Sequence, residues 1–197
     1  MIGLLQRVTT ASVIVAQKTI AHIDSGILVL IGVERHDTEK QADRLMQRLL
    51  AYRVFQDNEG KMNLSLTDTK GGVLLVPQFT LPADTRKGNR PSFTPAASPE
   101  QAETLFNYLC HQAKQRHPIV ATGQFGANMQ VSLINDGPVT FWLQVYPTMQ
   151  NKFGTKNGSK NQFGTKITTA KSIWNEKRAE KSIWNENNHC KINLERK

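Results

Sequence analysis

Two hydrophobic rhythms alternate along this chain. "GLLQRV" and "SVIVA" are short β-type runs separated at Thr9–Ala11. "GILVLIGV" is a nearly unbroken apolar run, as expected of a strand buried on both faces. The rhythm then lengthens. Thr38, with Gln41 three residues on, is a helix-start box, and Ala42, Leu45, Met46, Leu49 and Leu50 fall on one helix face behind it. "RVFQDNEGKMNL" predicts a strand, a turn at Asp57–Gly60 and a strand restart, and Val73–Val76 is another buried run. Ser98, Pro99 and Gln101 open a second helix whose buried stripe is Ala102, Leu105, Phe106, Leu109 and Ala113. "PIVAT", "MQVSLI" and "VTFWLQVY" complete the strands; in the last, Val139, Phe141, Leu143 and Val145 alternate with more polar or amphipathic residues. The expectation is an α/β, strand-rich domain over residues 1–147, with two main helices packed on one side of a mixed sheet.

Beyond Tyr146 the rhythm stops. "FGTK" recurs ten residues apart, and so does "KSIWNE". That period is too short for a solenoid repeat, and Lys, Asn, Gly and Ser dominate, so residues 148–197 read as a largely disordered basic tail. Two readings of it are open: an arm that adds affinity for RNA, for which Trp174 and Trp184 argue, or an extension without function.

Charge changes the picture only once it is divided. The chain has a net charge of +9, but residues 1–147 hold 14 Lys+Arg against 12 Asp+Glu, and residues 148–197 hold 11 against 4. Only local basic clusters in the first part therefore argue for a nucleic-acid partner. Arg7 interrupts the first apolar stretch before a signal-type core forms, and no run is long enough to span a bilayer, so a soluble, cytoplasmic protein is expected. Cys110 and Cys190 make neither a disulfide framework nor a metal spacing. The histidines at 22, 36, 111, 117 and 189 form no ligand pair, and neither a nucleophile elbow nor a phosphate loop is present.

Two segments carry candidate chemistry. "PQFTL", residues 77–81, follows the buried run Val73–Val76. It reads either as a plain strand end, where proline is tolerated, or as a platform in which amides freed from the ladder face a substrate carbonyl beside Gln78 and Thr80. "NDGPVTF", residues 135–141, is built from turn-forming residues, and sequence alone does not give the isomer of its Gly137–Pro138 bond.

Taken together, these two segments resemble the signature motifs of the D-aminoacyl-tRNA deacylases, also called D-tyrosyl-tRNA deacylases. "GLLQRVTTASV", "GKMN", "ADTRKGNRPSF", "SPEQAE" and "TGQFGANMQVSLINDGPVTFWLQV" resemble the same family, so the likeness covers roughly residues 1–146. It implies a partly barrel-like fold and a homodimer without metal or cofactor. The implied reaction is hydrolysis of the ester joining a D-amino acid, or glycine mischarged on tRNA(Ala), to the terminal adenosine of tRNA. By the resemblance, Gln78, Phe79 and Thr80 lie at the scissile ester, with the Phe79 amide as oxyanion donor. Gly137 and Pro138 would be a Gly–cisPro unit that enters the partner's site and rejects L side chains. Phe125 and Met129 would line the substrate pocket, an alternative to ordinary core packing. Arg86, Lys87 and Arg90 would touch tRNA phosphates, an alternative to a solvated loop. The family commonly has serine where this chain has Pro77, so no hydroxyl is available there. A scaffold that binds tRNA ends without catalysis is the other reading.

Overall fold

The computed structural model of the protein describes residues 1–147; the repeats and the remainder of residues 148–197 lie outside them. Within the described part, strand β1 spans Ile2–Val15, β2 Lys18–Ile23 and β3 Gly26–Gly32, followed by helix α1, Glu39–Ala51. Short strands β4 (Phe55–Gln56) and β5 (Met62–Leu64), a one-turn helix α2 (Leu66–Thr69) and strand β6 (Gly72–Pro77) come next. Helix α3 (Pro99–Arg116), β7 (Val120–Thr122) and β8 (Met129–Gln144) complete the domain. The main sheet runs β2-β1-β3-β6-β7, with β8 added along β1, and forms a mixed, nearly closed, barrel-like surface. The α/β expectation holds.

Two expected breaks are absent. Thr9–Ala11 does not separate two strands, because β1 is continuous; it pairs with β3 from Ile2 to Val8 and with β2 from Ala11 to Val15. "NDGP" likewise does not end a strand, since β8 runs through it. Antiparallel pairing of the two long strands along their whole length supplies more ladder bonds than two local turns would, and the misfit is absorbed as bulges. Gln6 faces Thr140 while Val8 faces Asn135, so the segment 136–139 stands out opposite Arg7. β2 and α2 were not foreseen. For α2 the signal was present: Ser65 accepts from the Asp68 amide while the Asp68 carboxylate accepts from the Ser65 amide at 2.8 Å.

The sheet has a core on each face. Ile27, Val29, Ile31, Val73 and Leu75 meet α1 and α3 through Leu45, Leu49, Phe106 and Leu109, whereas Leu28, Leu74 and Val76 face Val8, Val13 and Ile23 inside the curl. The α1 start is half a capping box: Gln41 Oε1 accepts from the Thr38 amide at 2.9 Å and from its hydroxyl at 2.7 Å. Ser98 caps α3, but Gln101 does not close its box. Its side chain instead donates to the Arg35 and Asp37 carbonyls at 3.2 and 3.1 Å, tying α3 to the loop before α1.

That loop also holds the start of the chain. The Met1 ammonium is fully buried, 2.6 Å from Asp37 Oδ1 and 2.8 Å from Glu34 Oε2, and it donates to the Val145 carbonyl at 2.9 Å. Burial pushes the Asp37 carboxyl above its ordinary range, with the ammonium pulling the other way.

Candidate active site

β6 is buried from Gly72 to Val76 and runs parallel to β3, with Pro77 opposite Ile31. On its other side β7 pairs only with Val73–Leu75, so the neighbouring strand has ended before position 77 is reached. A residue without an N–H therefore forfeits no ladder bond there, which explains why the strand tolerates Pro77. The Gln78 amide is still in the ladder, donating to the Ile31 carbonyl at 2.7 Å. The freed amides are those of Phe79 and Thr80, which have no acceptor among the described residues. They sit in a turn closed by Leu81 N–H to the Gln78 carbonyl at 3.3 Å. The turn lies directly over the end of β3: a β-carbon at Gly32 would be 2.8 Å from that of Leu81.

Around these amides the side chains are polar or aromatic. Gln78 Nε2 donates to Thr80 Oγ1 at 2.6 Å. The Phe79 ring is 64% exposed, and its centroid is 5.5 Å from that of Phe93. Among the described residues, no hydrogen bond of Gln78, Phe79 or Thr80 reaches an Asp, Glu or His. Phe125 joins the motif: with Pro77, Gln78, Phe79, Ala96, Ala97 and Phe106 it lines a cavity of about 20 Å³, which is room for one water. It also packs against the main core, as its core-packing reading expects. Met129 is close by as well. Its sulfur accepts from the Gln124 amide at 3.4 Å and lies 3.0 Å from where a β-carbon of Gly123 would sit, while Pro77 Cδ is 3.3 Å from that same point.

The second motif is elsewhere. The Gly137–Pro138 peptide is cis, and Gly137 has φ of +117°. Its segment is braced internally: Asn135 Oδ1 accepts from the Val139 amide at 2.9 Å, and Asn135 Nδ2 donates to Thr140 Oγ1 at 3.2 Å. Beneath it lies Arg7, which sequence reasoning passed over. Arg7 is 6% exposed and donates to the Val54 carbonyl at 2.6 Å. Its Nε is 2.9 Å from Asp136 Oδ2 but poorly aimed at it, so this contact is an ion pair and not a directed hydrogen bond. A lone arginine in an alternating strand reads as a solvated side chain, and its partner is far away in sequence, so no local signal marked it. Met129 adjoins the first motif, and Gly137 is eight residues further along the same strand, about 26 Å of contour at strand rise. Among the described residues, no hydrogen bond, ion pair or cavity joins Gly137 or Pro138 to Gln78–Thr80.

The basic loop is less free than its sequence suggests. Arg86 grips Asp84 through Nε at 2.9 Å and Nη2 at 2.7 Å, and this holds the Asp84 carboxyl down to about 2. Lys87 and Arg90 are exposed, with no ion pair among the described residues. No group of potential metal-holding side chains occurs among the described residues, and no described helix is long and apolar enough to cross a membrane.

This arrangement has relatives. Residues 4–144 match the family model described as D-Tyr-tRNA(Tyr) deacylase. A D-aminoacyl-tRNA deacylase from Janthinobacterium sp. (strain Marseille) is 65% identical over 149 residues, covering 76% of this chain and 100% of that protein. One from Nitrosococcus oceani is 60% identical over 150 residues, covering 76% of this chain and 97% of that protein. Among solved structures, the c-Myc DNA Unwinding Element Binding Protein superposes with a TM-score of 0.72 at 40% identity, covering 75% of this chain and 100% of that one. A probable eukaryotic D-amino acid tRNA deacylase shares the fold with a TM-score of 0.62 at 18% identity, over 73% of this chain and 98% of that one. The match spans both motifs and every described strand and main helix, so the chain belongs to the D-aminoacyl-tRNA deacylase family.

Proposed function

We propose that the protein hydrolyses the ester of D-aminoacyl-tRNA, with the reaction centred on the turn Gln78–Thr80. The observation that carries this reading is the pair of adjacent amides, Phe79 and Thr80, left without acceptors among the described residues where a buried strand ends in a chain of this family. Two such N–H groups suit the oxyanion that forms as water attacks the ester carbonyl, and one donor of this kind is typically worth ~2.7–4 kcal/mol of barrier. With no Asp, Glu or His hydrogen-bonded to the motif, the attacking water is best organised by the substrate's own neighbouring 2′-hydroxyl, which binding holds beside the ester. Thr80 Oγ1, oriented by Gln78, contributes a polar contact. Position 77 contributes none, and catalysis leans on main chain and tRNA.

Chirality is read by a second copy of the chain. Gly137 and Pro138 stand eight and nine residues along β8 from Met129, which adjoins the turn, and have no contact with that turn among the described residues; this separation supports their insertion into a partner's site. Ile134 and Trp142, both on β8 and more than half exposed, give that partner an apolar surface to cover. Carbonyls of this segment would hold the substrate's α-amino group and leave no space for an L side chain. Glycine has no side chain to exclude, so the same filter passes glycine mischarged on tRNA(Ala). Phe125 and Met129 line the pocket for the terminal adenosine and aminoacyl group.

Purified protein incubated with D-Tyr-tRNA and L-Tyr-tRNA tests the reading: release of D-tyrosine alone is expected, and binding without turnover would favour a non-catalytic tRNA-end binder. Thr80→Ala should slow hydrolysis roughly 10- to 100-fold, the range of one hydrogen bond to a charged reacting group. A wild-type rate would remove the side chain from the mechanism. Truncation after residue 147 should leave turnover within about twofold of wild type at saturating tRNA. A large loss would give the tail a role in the reaction.

A further inference from the structure

Sequence reasoning placed the tRNA phosphates on the loop Arg86–Arg90, yet the most continuous basic feature of the described surface is elsewhere. Lys40, Arg44 and Arg48 are four residues apart and therefore stack on one face of α1. None of the three has an ion-pair partner among the described residues. Together with Gln144, Val145 and Tyr146 they line an open trench of about 550 Å³. Tyr146, 70% exposed, is shared with a second hollow of about 330 Å³, lined by Arg35, His36, Thr94 and Pro95. The hollow and the small cavity beside Gln78 are lined by neighbouring residues of the same two segments, Glu34 and Pro95 for the one and Val33 and Ala96 for the other. Tyr146 joins the two hollows into one surface, bordered by the cationic face of α1 at one end and by the segments Val33–Glu34 and Pro95–Ala96, beside the reacting turn, at the other.

The acids along it are accounted for. Glu34 and Asp37 are the carboxylates lining this surface, and both face the buried Met1 ammonium. On α1, Asp43 is turned to Arg116 and Tyr108, and Glu39 lies outside both hollows. Arg48 uses one Nη on the Gln144 carbonyl at 3.0 Å, which fixes the side chain without cancelling its charge. The surplus is thus positive, with an exposed aromatic at the bend. A polyanion with flat bases fits this combination.

We infer that this trench is the track for the tRNA: nucleotides preceding the terminal adenosine pass over Tyr146, and acceptor-stem phosphates lie along Lys40, Arg44 and Arg48. The inference rests on the deacylase reading for the placement of the ester, but its test is separate. In the full chain, Lys40→Gln with Arg44→Gln changes two exposed side chains that make no core contact. Binding of uncharged tRNA, followed by fluorescence anisotropy between 50 and 300 mM salt (~0.05–0.3 M, the range in which counterion release is resolved), should weaken roughly 10- to 30-fold near physiological salt. The slope of log K against log salt should shrink by about 1.5–2. Lys18→Gln with Lys114→Gln removes the same charge away from the trench and should stay close to wild type. KM for D-Tyr-tRNA should rise with Kd in the α1 variant while kcat holds. Equal weakening by both pairs, or wild-type affinity in the α1 pair, overturns the track. Wild-type protein that binds tRNA in this α1-dependent way but hydrolyses no D-Tyr-tRNA would leave the track standing and remove the deacylase reading.

Discussion

Alanine at Gly26 should cost the domain about 3 kcal/mol or more and lower its melting temperature by roughly 10 °C. Gly26 and Gly72 open the parallel ladder between β3 and β6, the two central strands that carry both cores. A β-carbon on Gly26 would fall on the Gly72 carbonyl and lie 2.6 Å from the Gly72 amide nitrogen. Nothing there can rotate aside, since the obstacle is main chain. Nor can Gly72 retreat, because a β-carbon placed on it would already meet Ile23 at 2.9 Å, which leaves no slack behind it. Separating the strands would open the ladder from its first rung and lift the reacting turn at its far end. Thermal unfolding followed by circular dichroism measures the loss. A melting temperature within 2 °C of wild type (a shift of ~2 °C corresponds to under 1 kcal/mol at this size) would mean that the strands are not so closely apposed.

Gly137→Ala should abolish most of the hydrolysis, by 100-fold or more, while leaving the domain folded. With φ at +117°, an L residue is strained by about 1–3 kcal/mol. Its β-carbon would meet Val139 Cγ2 at 2.8 Å and Arg7 Nη2 at 3.0 Å. Val139 packs against the main core and does not yield freely. Nor does Arg7, because its guanidinium is buried between the Val54 carbonyl and Asp136. The segment itself must therefore move, by an amount that misplaces any contact it makes with substrate. The proposal that it serves a partner's site gives a sharper test. Mixing the impaired Gly137→Ala and Thr80→Ala subunits should regenerate one composite site in each mixed dimer and raise activity above that of either variant alone, to about a quarter of wild type for random pairing of a closed two-fold dimer. Failure to regain activity after demonstrated subunit exchange would put both motifs in one protomer's site or neither.

Local chemistry was legible where structure is local. Thr38–Gln41 and Ser98 start their helices, and Val73–Val76 is the buried strand its composition announces. Turn-forming residues misled where distant pairing outweighed them: Asn135–Pro138 has every attribute of a strand end and yet lies within β8, held by β1. The site divides in the same way. Gln78–Thr80 was identified by resemblance, and the structure adds which amides are free. Arg7 was illegible because its meaning depends on Asp136 and Val54, neither of them near it in sequence. The Lys40–Arg44–Arg48 spacing could have been read as a helix face, but its link to the site exists only once the loop Val33–Asp37 is laid beside Pro95–Ala97.

The joining of the first and last described strands has a further consequence, in time. β1 pairs with β8 over nearly its whole length, and the Met1 ammonium waits for the Val145 carbonyl. At ordinary synthesis rates of ~5–20 residues per second, β1 exists for roughly 7–30 s before its partner has been made. During that interval Leu5, Val8 and Val13, buried in the finished domain, belong to a strand with one open edge. Closure cannot be early, and contacts of such sequence separation also form slowly. The nascent domain is thus most vulnerable to aggregation while its first strand is waiting for its last.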